Sequence, residues 1–137
     1  MSAFGESQML FAGTLLFLLG LLTGVAIPAL RNKRMGLSAH LVGVQHGIVL
    51  WVVGLIQARL TPSPTLDAWM TWSLVLGLYG LWLAMLLAAI WGTSRALPMA
   101  GAGFSASKAR ELVVGALVYG PAALIIAGTT LLLARLW

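Results

Sequence analysis

Two histidines and a glutamine stand close together in one long apolar stretch of this sequence, at His40, Gln45 and His46. Polar side chains deep in an apolar segment are costly to bury, so they are candidates for function. A neutral imidazole can bind a metal through one ring nitrogen, and it can also carry a proton near neutral pH. Side chains six positions apart on a helix point about 120° from each other. We therefore expect His40 and His46 to line two different walls and not to hold one ion together.

Other polar and aromatic side chains lie at a similar depth in the remaining apolar stretches: Thr23, Tyr79, Trp82 and Tyr119. Hydrogen bonding between helices, worth about 0.6 kcal/mol on average, is a sufficient explanation of Thr23 and Tyr119 taken alone. The cluster of two histidines and a glutamine is less easily explained in this way. The sequence therefore favours a functional role for the cluster.

The residue types that the sequence lacks limit the classes of function that it can have. No Asp, Glu, Lys or Arg lies inside the apolar stretches, which argues against an ion-coupled transporter. Two histidines are too few for a four-ligand metal site, although a single neutral histidine is enough for an axial position of haem. The lack of cysteine excludes disulfides, thiolate nucleophiles and covalently attached haem. No glycine-rich phosphate-binding loop occurs, so no nucleotide cofactor is expected.

The stretches that carry these residues have the length of membrane spans. The chain is 61% hydrophobic and only 8% charged, and its charges enclose four uncharged runs of 23 to 27 residues. About 20 residues of helix cross a bilayer, whereas membrane strands alternate in polarity over about ten residues. We predict an all-α integral membrane protein, a single membrane domain over 1–137. Its four transmembrane helices, roughly 8–30, 37–58, 66–93 and 109–136, should form an antiparallel bundle.

The connections between these helices indicate the topology. Six of the eight basic residues lie in the first and third connections: Arg31, Lys33, Arg34, Arg95, Lys108 and Arg110. The positive-inside rule then places both connections in the cytoplasm and both termini outside. No basic face exists beyond the bilayer, so nucleic acid is not an expected partner. The third connection is the longest and is rich in glycine, so we expect it to be mobile or to act as a lid.

Small residues recur at the spacing of helix contacts, for example Gly20 with Gly24, and Gly43 with Gly47. Such pairs let two helix backbones approach closely in a bilayer. The two glycines that share a face with His40 would also leave room for something large and flat. There are more such pairs than one bundle needs, which suggests a homo-oligomer.

Two segments resemble the bacterial hydroxylaminobenzene mutases. The run MGLSAHLVG at 35–43, followed by Gly47, is similar to the start of their second helix, and YGLWLAMLLAAIWG at 79–92 is similar to their third. Length, span count and the short turn before Gly36 agree as well, so the resemblance covers nearly the whole chain. It implies an isomerase of the bacterial inner membrane. Such an enzyme converts a small aromatic hydroxylamine to a 2-aminophenol by moving the N-hydroxyl group to the ortho carbon.

A more distant resemblance is to styrene oxide isomerase, in which a histidine of the second helix holds haem b between the subunits of a trimer. This resemblance implies that His40 is an axial haem ligand and that the chain forms a homotrimer. The sequence departs from both families where His46 and Leu81 stand in place of the expected asparagines.

We therefore predict an intramembrane mutase with the following site. The catalytic residues would be His46 and Tyr79; Gln45, Trp82 and Tyr119 would bind substrate; His40, Gly43 and Gly47 would bind haem, with His40 on the iron. Two alternatives share some of these features. One is a haem-bearing electron-transfer subunit, and the other is a structural or assembly protein whose polar groups only bond to neighbouring helices.

Overall fold

A computed structural model describes residues 3–137, with side chains from Glu6 onward. Over these residues the chain is helical and contains no strand, as the sequence predicts. The helices are α1 (Ala3–Ala26, continued by a 3₁₀ turn at Ile27–Ala29), α2 (Lys33–Gln57), α3 (Pro64–Trp91), the short α4 (Pro98–Gly101) and α5 (Lys108–Leu136). Helix α5 corresponds to the fourth predicted span, and α4 is an element that the sequence did not predict.

Four of these helices, 24 to 29 residues long, are apolar and long enough to cross a membrane. The protein is therefore a multi-pass membrane protein. Its helix boundaries follow local chemistry. Asn32 caps α2 by accepting a hydrogen bond from the Met35 backbone N–H at 3.1 Å, so α2 begins before the predicted residue 37. Helix α3 ends at Gly92, whose left-handed φ of 71° terminates a helix without steric cost.

Helices α1 and α2 pack together closely, because glycines face each other across the contact. A Cβ atom placed on Gly20 would lie 2.6 Å from the Val44 backbone nitrogen, and one on Gly47 would lie 2.7 Å from the Gly13 carbonyl oxygen. No side chain fits at such distances. Dispersion between closely packed atoms therefore holds the two helices together, as expected where lipid removes the hydrophobic driving force.

Helix α3 packs against α2 on one side and α5 on the other. Gly80 lies against Pro121 of α5, where an added Cβ would come within 2.5 Å of the proline Cγ. Helix α5 remains one helix through Pro121, and only four of its 29 residues are buried: Glu111, Val114, Pro121 and Gly128. Most of α5 therefore faces outward.

The third connection is fastened to the rest of the protein and is not a free lid. The buried Asn32 side chain donates a hydrogen bond to the Ala100 carbonyl at 2.8 Å. The buried Glu111 carboxylate accepts the backbone N–H groups of Ser94 and Arg95, each at 3.1 Å. These bonds tie the connection to α2 and α5, and its glycine content alone could not predict them.

Candidate functional site

The imidazole of His40 lies half-buried between α2 and α1. Its Nδ1 is 2.8 Å from the carbonyl oxygen of Gly20. A carbonyl oxygen can only accept a hydrogen bond, so Nδ1 carries the hydrogen and the neutral ring keeps an unprotonated Nε2. The apolar stretches of the sequence offer no carboxylate as a partner for this imidazole, which favoured a metal as its partner. The structure corrects that argument, because a backbone carbonyl satisfies one ring nitrogen and leaves the other available.

Gly24 makes the space in which this ring lies. A Cβ atom at position 24 would come within 2.6 Å of His40 Nδ1 and 2.9 Å of its Cε1. From the sequence, Gly24 was expected only to let two helices pack closely. The contact between Gly24 and the His40 ring could not be predicted from the spacing of Gly24 and Gly20. It depends on the register between α1 and α2.

His46 faces the opposite wall. Its Nδ1 lies 2.9 Å from the carbonyl oxygen of Leu78 on α3, so this ring also donates through Nδ1 and keeps a free Nε2 when neutral. His40 contacts α1 and His46 contacts α3, which confirms that the two rings line different walls. Leu81, where an asparagine was expected, is half-buried on α3.

Tyr79 and Trp82 lie on α3 in the hydrophobic core. The Tyr79 hydroxyl donates to the Ala12 carbonyl of α1 at 2.6 Å. Trp82 is 8% exposed, and its indole Nε1–H is buried without a hydrogen-bond acceptor in the described part of the chain. The indole packs on Gly43, where an added Cβ would lie 3.0 Å from Nε1. A buried donor without a partner is costly, so this atom is a candidate for contact with a bound molecule.

The glycines next to His40 do not leave an open space. An added Cβ on Gly43 would meet the Gly20 Cα at 2.7 Å and Trp82, and one on Gly47 would meet α1 at Gly13 and Phe17. The room that the sequence suggested for a flat cofactor on this face is filled by α1 and by the indole. Contact between haem and Gly43 or Gly47 stays a prediction, but open space beside these glycines no longer supports it.

Two predicted substrate residues, Gln45 and Tyr119, are not brought to this interior site. Both are exposed on the outer surface of the helices. The structure therefore assembles His40, His46, Tyr79 and Trp82 between α1, α2 and α3. Along the axis of α2, Gly43 lies between His40 and His46, and the two histidines are separated by a rise of about 9 Å. The result is two imidazoles, each with a free Nε2, and an unpaired indole N–H in apolar surroundings.

The sequence of the chain matches one known family. The family model of styrene oxide isomerase matches residues 6–137, which is nearly the entire chain. The chain belongs to the styrene oxide isomerase family. Its membership confirms the predicted resemblance, and it places the chain in a family of isomerases and so among enzymes.

Two proteins to which the chain is similar are hydroxylaminobenzene mutases of Ectopseudomonas oleovorans. Hydroxylaminobenzene mutase HabA is 36% identical over 118 residues, which cover 83% of this chain and 85% of the relative. Hydroxylaminobenzene mutase HabB is 41% identical over 113 residues, which cover 81% of this chain and 69% of the relative. A comparison with solved structures gave no match.

Proposed function

We propose that this member of the styrene oxide isomerase family is a mutase that converts hydroxylaminobenzene and similar aromatic hydroxylamines to 2-aminophenols. Its similarity to two proteins named for that substrate supports the proposal. The structural observation that carries it is the pair of imidazoles, His40 and His46, oriented by backbone carbonyls within an apolar helix layer. Imidazoles can accept and donate protons near neutral pH. Proton transfer at this site therefore does not require carboxylates of the kind that ion carriers use.

The reaction is an isomerisation, so no atom or electron is gained overall. The N–O bond breaks with proton assistance, its electron pair leaving with oxygen, and the same oxygen uses that pair to form a C–O bond at the ortho carbon. That carbon then loses its proton, and the ring becomes aromatic again. An electron-poor ring exposed to bulk water would be trapped by solvent. A site that excludes water therefore favours the rearranged product.

His46 is the residue that we propose for proton transfer. Its Nδ1–H is held by the Leu78 carbonyl, so Nε2 is the atom that exchanges a proton with the substrate. A ring fixed at one nitrogen presents the other in a constant direction, which general acid–base catalysis requires. An asparagine at this position could orient a substrate but could not carry the proton.

Tyr79 and Trp82 are proposed to orient the substrate. The hydrogen of the Tyr79 hydroxyl is committed to Ala12, so the phenol oxygen offers its lone pairs to a substrate N–H group. The Trp82 indole offers the opposite chemistry, an unused N–H donor for a substrate oxygen. Together they could distinguish the nitrogen end of a hydroxylamine from its oxygen end.

A haem b group is part of the proposal, with His40 as the residue that would hold its iron. The donor chemistry fits, since Nε2 is free and Nδ1–H donates to the Gly20 carbonyl, the kind of second bond that orients metal-binding histidines. Bound iron would supply a Lewis acid for the hydroxylamine oxygen without net redox change. In the protein itself, Gly24 and the Gly20 carbonyl keep the ring in place.

The proposed setting is the inner membrane of a bacterium, with both termini outside and the lipid bilayer around a homo-oligomer, most simply a trimer. The basic residues of the first and third connections support this topology. The outward-facing surface of α5 supports association. Nucleic acid and soluble nucleotide cofactors have no place in the proposal.

The test is turnover of hydroxylaminobenzene by protein purified in mild detergent and dialysed against buffer. We expect 2-aminophenol to form without added nucleotide, flavin or oxidant. His46→Ala should reduce turnover while keeping any Soret absorption, and His40→Ala should abolish both. Thr130→Ala is the matched control, because Thr130 is an exposed intramembrane hydroxyl that bonds only to its own helix.

Full turnover by the His40→Ala protein would remove the haem proposal. A strict need for a soluble redox cofactor would contradict the isomerase mechanism. Reversible redox cycling without mutase turnover would instead favour the electron-transfer subunit.

A further inference from the structure

Two polar side chains, Gln45 on α2 and Tyr119 on α5, face outward from the protomer. Gln45 is exposed, and Tyr119 is 69% exposed. Neither side chain makes a hydrogen bond within the described residues. Gln45 lies among aliphatic side chains of α2, and Tyr119 lies on an apolar part of α5, away from Glu111 and Arg95 near the start of that helix.

Both side chains lie at the same depth. Helices α2 and α5 start at the same end of the bundle, at Lys33 and Lys108. Gln45 is twelve residues along α2 and Tyr119 eleven residues along α5, about 18 Å and 16 Å from those starts. In a hydrocarbon core about 30 Å thick, both are near the midplane. Water and lipid headgroups cannot satisfy an amide or a phenol there, and interfacial anchoring cannot explain Tyr119.

The surface around Tyr119 is concave. A groove of about 420 Å³ runs along α5; its lining is apolar at Leu112, Gly115, Ala116 and Gly120, includes Tyr119, and carries Arg95 and Glu111 at the end where the helix begins. No atom lies within 4 Å of a Cβ placed on Gly115 or Gly120, so this depression is open to an incoming helix.

The surface around Gln45 is a ridge of protruding side chains. Leu41, Ile48 and Val52 are 48%, 43% and 50% exposed, and they lie on the same side of α2 as Gln45. A ridge of one helix that fits a groove of another is the usual geometry of helix packing. Within the protomer α3 packs against both α2 and α5, so the ridge and the groove belong to different outer surfaces.

We propose that the α2 ridge of one copy docks in the α5 groove of a second copy, with Gln45 hydrogen bonded to the Tyr119 hydroxyl of that copy. An amide and a phenol can each donate and accept, so the pair satisfies both groups at a depth where nothing else can. The contact joins two different surfaces, so it repeats head to tail and closes as a ring. Each subunit thereby receives a tyrosine on the outer surface of its own helix α2.

This inference does not depend on the proposed substrate, and its test does not measure turnover. The chain contains no cysteine, so introduced cysteines can be paired without background. Gln45→Cys combined with Tyr119→Cys, oxidised in native membranes, should give a ladder of covalent oligomers. Two co-expressed chains that carry one cysteine each should give a dimer and nothing larger.

The matched control is Leu18→Cys with Tyr119→Cys. Leu18 is 49% exposed on α1 and lies eleven residues from the inner end of that segment at Ala29, a depth close to that of Tyr119. It should not cross-link. Efficient cross-linking by Gln45→Cys alone would show a two-fold contact and overturn the proposal. So would the absence of any ladder in double-cysteine protein that a membrane-permeant maleimide still labels.

A second measurement tests the hydrogen bond itself. Gln45→Leu and Tyr119→Phe should each weaken association about threefold, the equilibrium equivalent of an average interhelical hydrogen bond. The double variant should be no weaker than either single one, because both changes remove the same bond. Additive losses would show that each group has a separate partner. No loss in either variant would show that lipid or substrate covers this surface.

Discussion

Substitution of Gly24 by alanine should displace the His40 ring. The added Cβ would lie 2.6 Å from Nδ1 and 2.9 Å from Cε1, whereas carbon contacts prefer about 3.5–4.0 Å. The ring must therefore retreat by about 1 Å or rotate away from Gly20. Overpacking of this kind costs about 1–3 kcal/mol, and a displacement of about 1 Å can reduce turnover about 100-fold.

The assay is a double-mutant cycle between Gly24→Ala and His40→Ala, read as unfolding in detergent. Gly24→Ala should destabilise the parent protein by about 1–3 kcal/mol but the His40→Ala protein by much less, because the clash has then been removed. Turnover should fall in the Gly24→Ala protein. Gly54→Ala is the matched control at the outer end of the same helix contact, since its Cβ would lie 3.1 Å from the Met9 Cβ.

Equal destabilisation by Gly24→Ala in both backgrounds would refute this reasoning. It would mean that the new methyl group separates the two helix backbones and that the imidazole is not what it displaces. A Gly24→Ala protein with unchanged stability and turnover would likewise show that the ring is not confined by α1.

Three further outcomes are expected. Glu111→Gln should destabilise the protein by about 1–3 kcal/mol, read by thermal unfolding, because an amide accepts the two loop N–H groups less well than a buried carboxylate does. Asp67→Asn should also cost about 1–3 kcal/mol, since its 2.8 Å ion pair with Arg135 is part-buried, with side chains only 20% and 13% exposed; an unchanged melting curve in Arg135→Ala would show that the pair contributes nothing. Reporter fusions should place residue Arg34 inside and Trp137 outside, and an external signal from the Arg34 fusion would reverse the topology.

The fold followed from the sequence because charge spacing alone defines four spans. Uncharged runs of membrane length leave few alternatives once strands are excluded. The exact ends did not follow. Helix α1 gives way to a 3₁₀ turn at Pro28, while Asn32 starts α2 early by capping it. Capping and proline effects act over one turn, which is shorter than the hydropathy signal resolves.

The site was predictable in part. The residue types at depth pointed to His40, His46, Tyr79 and Trp82, and the six-residue spacing predicted two separate walls. The partners of these groups could not be predicted, because a backbone carbonyl has no sequence signature. Each acceptor, at Gly20, at Leu78 and at Ala12, depends on how one helix is registered against the next.

The outward orientation of Tyr119 was also beyond the sequence. Helix α5 is apolar around its whole circumference, so no polar face shows which side packs on α3. Its glycines did not decide the matter either, since Gly128 is buried against Leu74 while Gly115 and Gly120 are open.

Asn32 has a consequence for the order in which the protein assembles during synthesis. Its backbone N–H donates to the Ala89 carbonyl and its side-chain amide to the Ala100 carbonyl, so it joins the first hairpin to segments made about 60 residues later. The α1–α2 hairpin can enter the bilayer when its own residues have been made, but these two bonds cannot form until α3 and α4 have emerged. Until then the Asn32 amide lacks these two partners at the turn of the hairpin. The polar groups at this turn therefore reach their final hydrogen bonding only after most of the chain has been made.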